Sequence, residues 1–315
     1  MEFRLTFGPV PSRRLGRSLG INNIPYKHCS YSCIYCQLGR TTYLEITRSV
    51  FFSTSEIVKE VLKTLSRISK DKVDYITFVP DGEPTLDINL GRTVNALKKE
   101  VSIPIAVLTN GSLLFRDDVK QDLYIADLVS IKIDACSENI FKKINRPHPR
   151  LRLEDVLQGI LDFSKSYKGE LITETMIIDS INDSIDELTK IARFISRLNP
   201  YKAYVAIPIR PPAENWVKPA SEQSICLAYH VFSRHISKVE LLIRSEGEEF
   251  GRISSDPIRD FLSIVTVHPM RLRQAFYFLS RAGLDPEAVL SKLIEDDEVV
   301  IVSYLNDKFI IRKFT

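Results

Sequence analysis

The sequence predicts an α/β protein: a partial (β/α)6 parallel barrel over residues 1–250 and a smaller unit over 251–315. Three observations predict it. From Ser53 onward, short apolar runs alternate with amphipathic stretches of helical spacing, the pattern of parallel strands joined by right-handed crossovers. Five or six such strands follow Val73, too few for a closed eight-stranded barrel. After about Gly251 the alternation gives way to three helical segments and a hairpin.

Taken in order, residues 8–20 (GPVPSRRLGRSLG) read as an ordered but irregular lead-in. They form either a surface loop with solvated Arg13, Arg14 and Arg17 or an anion-contacting rim. A strand is expected near 21–24. Ser53 or Ser55 caps a helix over 56–69, with Ile57, Val58, Val61, Leu62, Leu65 and Ile68 on one face. Further strands are expected at 73–79, 104–108, 128–133, 170–178, 203–209 and 239–243. Helices are expected at 87–99, 116–123, 138–144, 153–166, 184–198 and 220–235.

Apolar residues make up 44% of the 315 and charged residues 26%, ordinary usage for a chain with a sizeable core. The formal charge of +3 neither demands nor excludes a nucleic-acid partner. The N-terminal stretch MEFRLTFGPVPSRR lacks the apolar core of a signal peptide, and no apolar run approaches the roughly 20 residues of a membrane span. A cytoplasmic protein without a membrane partner is expected.

Chemistry concentrates in His28-Cys29-Ser30-Tyr31-Ser32-Cys33-Ile34-Tyr35-Cys36, which places three of the five cysteines within eight residues as C-x3-C-x2-C. Three thiolates on one loop need a shared ligand, and a small iron–sulfur cluster supplies it. A cubane has four irons, so one is left without a protein sulfur. The rival is a zinc site with His28 as fourth ligand, but His28 adjoins Cys29, a poor spacing for two corners of one tetrahedron. Cys136 and Cys226 stand alone and read as small buried hydrophobes.

In parallel α/β folds, working residues gather at the carboxyl ends of strands. Asp81-Gly82-Glu83-Pro84, Thr109-Asn110-Gly111-Ser112, Lys132 with Asp134, Glu174 with Met176, and Arg210-Pro211-Pro212 all fall at such ends. Each has a bland alternative, namely a solvated turn, an Asn-Gly turn or a buried ion pair. Their shared position favours one site.

On these residues the chain resembles the radical S-adenosylmethionine (SAM) superfamily over roughly residues 8–215. The loop fits the C-x3-C-x-aromatic-C signature with Tyr35 at the aromatic position, and Gly82-Glu83-Pro84 fits the Gly-Gly-Glu-Pro region, with Asp81 standing for the first Gly. More narrowly, GPVPSRRLGRSLG and YSCIYCQLGRT resemble small prokaryotic members grouped with the wybutosine-synthesis enzyme of tRNA modification, and also the activases of glycyl-radical enzymes. The resemblance implies a [4Fe-4S] cluster on Cys29, Cys33 and Cys36, with SAM chelating the fourth iron. It implies that Glu83 and Gly82 meet the SAM ammonium and Tyr35 the adenine. Asn110, Ser112 or Asp134 would hold the ribose, and Arg210 the carboxylate or substrate. One electron, from a ferredoxin or flavodoxin, would cleave SAM to a 5′-deoxyadenosyl radical that abstracts hydrogen from a substrate. That substrate is expected to be macromolecular, with RNA ahead of peptide or protein. Two leftover cysteines cannot bind an auxiliary cluster, which argues against wybutosine chemistry itself.

At the C-terminal end, helices are expected at 257–267, 272–281 and from Asp285-Pro286 to 294, then strands at 299–304 and 309–314 around an Asn306-Asp307 turn. The arrangement resembles a winged helix, whose usual inference is DNA binding. Residues 256–315, however, carry eight basic and nine acidic side chains, with four consecutive acids at 295–298. Phosphate contacts dominate nucleic-acid affinity, so a protein-docking or substrate-orienting role is expected in place of DNA reading. Two non-enzyme classes compete. A redox sensor would want a basic recognition helix, and an electron carrier would want four protein ligands to its cluster.

Overall fold

The computed structural model describes residues 5–68, 72–244 and 246–313. The chain opens with an antiparallel hairpin of β1 (Thr6–Ser12) and β2 (Gly16–Ile21). Two-residue strands β3 (His28–Cys29) and β4 (Tyr43–Leu44) pair within the cysteine loop. Then come α1 (Thr54–Leu65), β5 (Tyr75–Phe78), α2 (Leu90–Glu100), β6 (Ile105–Thr109), α3 (Asp117–Leu123), β7 (Leu128–Lys132), α4 (Glu138–Ile144) and α5 (Leu153–Ser166). The barrel region ends with β8 (Glu170–Met176), α6 (Ile185–Leu198), β9 (Lys202–Ala206), α7 (Glu222–Ser233) and β10 (Val239–Leu242).

One eight-stranded sheet runs in the order β1-β2-β5-β6-β7-β8-β9-β10, parallel from β2 onward. Its strands alternate with a period of two, which sorts the side chains onto two covered faces. Val107, Val129, Leu171 and Val205 join the core beneath the helices. Their neighbours Ala106, Leu128, Ile172, Tyr204 and Ala206 form a second, smaller cluster with Leu15 from the β1–β2 turn and Leu242 of β10. The same turn spans the sheet's two edges: Arg13 Nη1 donates to the carbonyls of Leu242 (2.5 Å) and Arg244 (3.1 Å). The sheet is thus curled into the expected partial barrel.

The lead-in differs from its expected form. Residues 6–12 and 16–21 are strands, with a register shift between Phe7 and Val10. Pro9 and Pro11 obscured this, but a strand at a sheet edge tolerates residues that lack an N–H. The strand expected near 21–24 accordingly begins at Gly16. Ser53 is the N-cap of α1, with a complete capping box to Glu56. The helix expected to run to Ser69 ends at Leu65, and Ser69 lies outside the described residues.

Beyond β10 the order is α8 (Pro257–Val267), β11 (Met270–Arg271), α9 (Leu272–Arg281), α10 (Pro286–Glu295), β12 (Val299–Tyr304) and β13 (Asp307–Arg312). The three strands form a small antiparallel sheet in the order β11-β13-β12. The hairpin turns at Leu305-Asn306, one residue before the expected pair, since Tyr304 pairs with Asp307; Phe314 lies outside the described residues. Phe261, Ile264, Met270, Phe278 and Leu279 share a core with Phe7 and Val10 of β1, so this small sheet unit is packed on the barrel's first strand. Among the described residues no helix is long and apolar enough to cross a membrane.

Candidate active site

Backbone hydrogen bonds pin the cysteine loop on three sides. Lys27 N–H donates to the carbonyl of Asp81, and Glu83 N–H to that of His28, both at 3.0 Å. Ile34 N–H donates to Ile144 at the end of α4, and Glu214 N–H to Ile34. Glu214 in turn accepts two bonds from Arg40, at 2.8 and 2.9 Å, and one from Arg146.

Cys29, Cys33 and Cys36 line one cavity of about 340 Å³, together with Tyr35, Gly82, Glu83, Asn110 and Arg210. Of the expected site residues, Ser112 and Asp134 are absent from its wall, because both are spent on bracing. Ser112, fully buried, pairs with Ser30 at 2.6 Å. Asp134 accepts from Tyr35 Oη, from Asn145 Nδ2 (2.9 Å) and from Met176 N–H (2.9 Å). The aromatic position is therefore fixed by its hydroxyl while its ring faces the cavity and carries Lys132 Nζ 4.6 Å from its centroid.

Glu83 is the most constrained group. Oε1 accepts from Thr85 N–H (3.1 Å), Thr85 Oγ1 (2.6 Å) and Thr109 Oγ1 (2.6 Å), and Oε2 accepts from Asn110 N–H (2.8 Å). Burial pushes its carboxyl above the usual range while these donors pull it back. Oε2 has a single donor, which leaves one of its two lone-pair directions open. Asp81, which replaces a glycine of the resembled motif, is clamped to Asn22: Asn22 Nδ2 donates to Oδ2 (2.8 Å), and Asp81 N–H donates to Asn22 Oδ1 (2.9 Å). Burial pushes the Asp81 carboxyl up to about 7.

The cavity joins the expected strand-end groups to residues that sequence reasoning left out of the site, Gln37, Glu246, Val267 and His268. Glu174 pairs with Lys132 at 2.9 Å and with Arg14. Arg210 donates to Gln37 Oε1 (2.9 Å) and to His268 Nε2 (2.7 Å), and pairs with Glu246 (2.8 Å). Gln37, directly after Cys36, donates to the carbonyl of Val267 at 2.9 Å. Val267 and His268 thus bring the C-terminal unit to the cavity wall. No local pattern could have revealed this, because the partners lie 58 to 230 residues apart.

His28 is excluded as a fourth ligand. Its Nδ1 lies 2.6 Å from Glu45 Oε1, its ring stacks on Tyr43 at 4.2 Å, and it does not line the cavity. Cys136 and Cys226 also lie outside the wall; Cys136 is half-buried and Cys226 is exposed, so neither is fully buried as expected. Burial pushes the Cys29 thiol well up and Cys33 to about 12, so both sulfurs need a cation to become thiolates. Three sulfurs lining one cavity, each facing a nitrogen donor from Asn110, Asn145 or Lys27, are a donor set that would hold an iron–sulfur cluster by three cysteines.

The fold and this donor set define an iron–sulfur enzyme with its site at the strand ends. The model of the radical SAM superfamily matches residues 23–195, and the chain belongs to that superfamily. It is 44% identical over 302 residues to a UPF0026 protein of Methanocaldococcus jannaschii, covering 95% of this chain and 93% of that one. It is 26% identical over 188 residues to a probable dual-specificity RNA methyltransferase of Endomicrobium trichonymphae, covering 58% and 52%. Among solved structures, a radical SAM methyltransferase from Sphaerobacter thermophilus superposes with a TM-score of 0.53 at 15% identity, covering 72% of this chain and 66% of that one. SuiB of Streptococcus suis, bound to S-adenosylmethionine, gives 0.52 at 13% identity and 70% and 49% coverage.

The protein is a radical SAM enzyme whose cofactors are a [4Fe-4S] cluster and SAM. When bound, they supply one-electron cleavage of the sulfonium and a 5′-deoxyadenosyl radical. The chain's own contribution is to hold the three sulfurs on a loop pinned from three sides. It also fixes Glu83 with four donors at the cavity wall.

Proposed function

We propose that this enzyme modifies a macromolecular substrate, RNA in the first instance. The observation that carries the reading is sequence similarity to RNA methyltransferases across more than half of the chain. Arg14, Lys132 and Arg210 reach the cavity wall, each paired there with Glu174 or Glu246, so an anionic substrate would have to share them with those carboxylates. Within the site, Glu83 takes the SAM ammonium beside Gly82, Tyr35 the adenine, Asn110 a ribose hydroxyl, and Arg210 a carboxylate or substrate phosphate. The electron donor is a ferredoxin or flavodoxin, and the setting is the cytoplasm.

A peptide or protein substrate is the second reading. It is favoured by the C-terminal unit, taken as a winged-helix-like domain over 251–315, which reaches the cavity through Val267 and His268 and carries no excess of bases over acids. The first test is anaerobic reconstitution, reduction with dithionite and addition of SAM. 5′-Deoxyadenosine is expected from the wild type and none from Cys29→Ala. The substrate test compares modified nucleosides in total RNA from deletion and parent strains. A missing nucleoside supports RNA, and an unchanged profile moves the assignment to peptide.

A further inference from the structure

Each cysteine sulfur of the loop has its own nitrogen donor. Asn110 Nδ2 lies 3.7 Å from Cys29 Sγ, Asn145 Nδ2 lies 3.5 Å from Cys33 Sγ, and Lys27 Nζ lies 3.4 Å from Cys36 Sγ. The first two are neutral amides. The third is a cation with only 2% of its surface exposed, and among the described residues it has no ion-pair partner. Its other bond is to the carbonyl of Gly39, at 2.7 Å.

The backbone is shaped to put it there. Lys27 has φ +59°, a region that residues with a side chain rarely adopt. Bonds on both sides hold it, from its N–H to Asp81 (3.0 Å) and from Thr42 and Tyr43 N–H to its carbonyl (3.2 and 3.0 Å). Asp81 acts on it only through space, and a buried ammonium with no carboxylate in direct contact is costly unless another anion meets it. A thiolate-ligated cluster is that anion.

We propose that Lys27 sets the reduction potential of the cluster, favouring its one-electron reduced form, with Asn110 and Asn145 as weaker neutral contributors. The step adds one electron from a ferredoxin- or flavodoxin-class carrier, and no bond forms or breaks. Negative charge on the cluster and its sulfurs rises by one. A fixed cation touching one ligand sulfur stabilises the more negative state, and hydrogen bonds to the other two act in the same direction. The proposal rests on the cluster alone and is independent of the substrate class proposed above.

The test is an electron-paramagnetic-resonance redox titration of anaerobically reconstituted protein without SAM, with iron and sulfide counted per chain. Lys27→Met is expected to load as much iron and sulfide as the wild type. Its ratio of reduced to oxidised cluster at a fixed potential is expected to fall about tenfold, a drop of about 59 mV for one electron. Lys27→Arg, which keeps the charge, is expected to stay within about threefold of the wild type. If Lys27→Met does not load, Lys27→Gln, which keeps a donor for Gly39, takes its place with the same expected drop. A fully loaded neutral variant at the wild-type potential overturns the proposal. Failure of both neutral variants to load while Lys27→Arg loads also overturns it, because Lys27 would then only hold the loop.

Discussion

Gly82 and His28 are in backbone contact: a Cβ added to Gly82 would lie 1.8 Å from the carbonyl oxygen of His28. That carbonyl accepts the Glu83 N–H, and Lys27 N–H donates to Asp81, so the cysteine loop and the carboxylate turn form one unit. Even a methyl group must push the two apart. Gly82→Ala is expected to destabilise the chain by roughly 1–3 kcal/mol, the cost of overpacking a tight site. It should also lower iron content after reconstitution. Thermal unfolding and an iron assay check both, and a variant with wild-type iron and stability would show that the contact relaxes freely.

Glu83 differs from a solvated acid in having its carboxylate fixed before any ligand arrives. In Glu83→Gln one oxygen becomes an NH2, which faces donors from Thr85, Thr109 or Asn110 whichever way the amide turns. Leaving buried donors unpaired costs about 1–3 kcal/mol. Loss of SAM binding is expected with the cluster retained, since Glu83 is not an iron ligand. Calorimetry with SAM on the reconstituted variant reads this directly.

Asp81 links pH to stability. Its carboxyl is raised to about 7 by burial, against about 3.9 unfolded, so the folded chain binds more protons between those values. Stability from this group is full below about pH 4 and is lost as pH rises through 7. Asp81→Asn removes the buried charge and keeps an oxygen for Asn22 Nδ2. It is expected to gain on the order of 2–4 kcal/mol at pH 8 relative to the wild type and nothing at pH 4. Urea unfolding at the two pH values gives the comparison, and equal gains at both would remove the titration from the explanation.

What the sequence revealed and what it hid divide along the range of the interactions. The C-x3-C-x2-C loop, the Gly82-Glu83-Pro84 turn and the strand–helix alternation are local patterns, and each appears where expected. Asn110 and Glu83 lie on neighbouring strand ends, so a parallel sheet brings them together automatically. Ser112 and Asp134 sit beside site residues in sequence but turn inward, a choice made by Ser30, Tyr35 and Asn145. Lys27 was invisible because its left-handed backbone, unusual for lysine, aims the side chain at Cys36. The cluster of Arg210, Glu246, His268 and Arg271 joins loops and β11, segments with no shared pattern.

That cluster makes the last prediction. Burial alone would raise the Glu246 carboxyl, but Arg210 foremost, with a backbone N–H and Arg271, outweighs it and holds it down at about 2. Its unfolded value is about 4.3, so its stabilisation is present above that pH and fades as pH falls toward 2. His268 is pushed down to about 3 by burial and then by Arg210, which leaves the imidazole neutral to accept the Arg210 N–H. In Arg210→Ala, Glu246 keeps, among the side chains of the described residues, Arg271 at 3.4 Å and Gln274 at 3.5 Å, and Gln37 loses its bond from Arg210. Removing one partner of a buried pair costs about 3–5 kcal/mol, whereas replacing both with apolar groups is often near neutral. Arg210→Ala is therefore expected to unfold at lower temperature and to begin its acid loss at higher pH, as the Glu246 carboxyl rises. Arg210→Met with Glu246→Leu is expected to recover most of the stability. Melting curves from pH 3 to 8 on the three proteins decide it: a double variant no more stable than Arg210→Ala would mean that the guanidinium's contacts to Gln37 and His268, and not its pairing with Glu246, hold the C-terminal unit against the cluster loop.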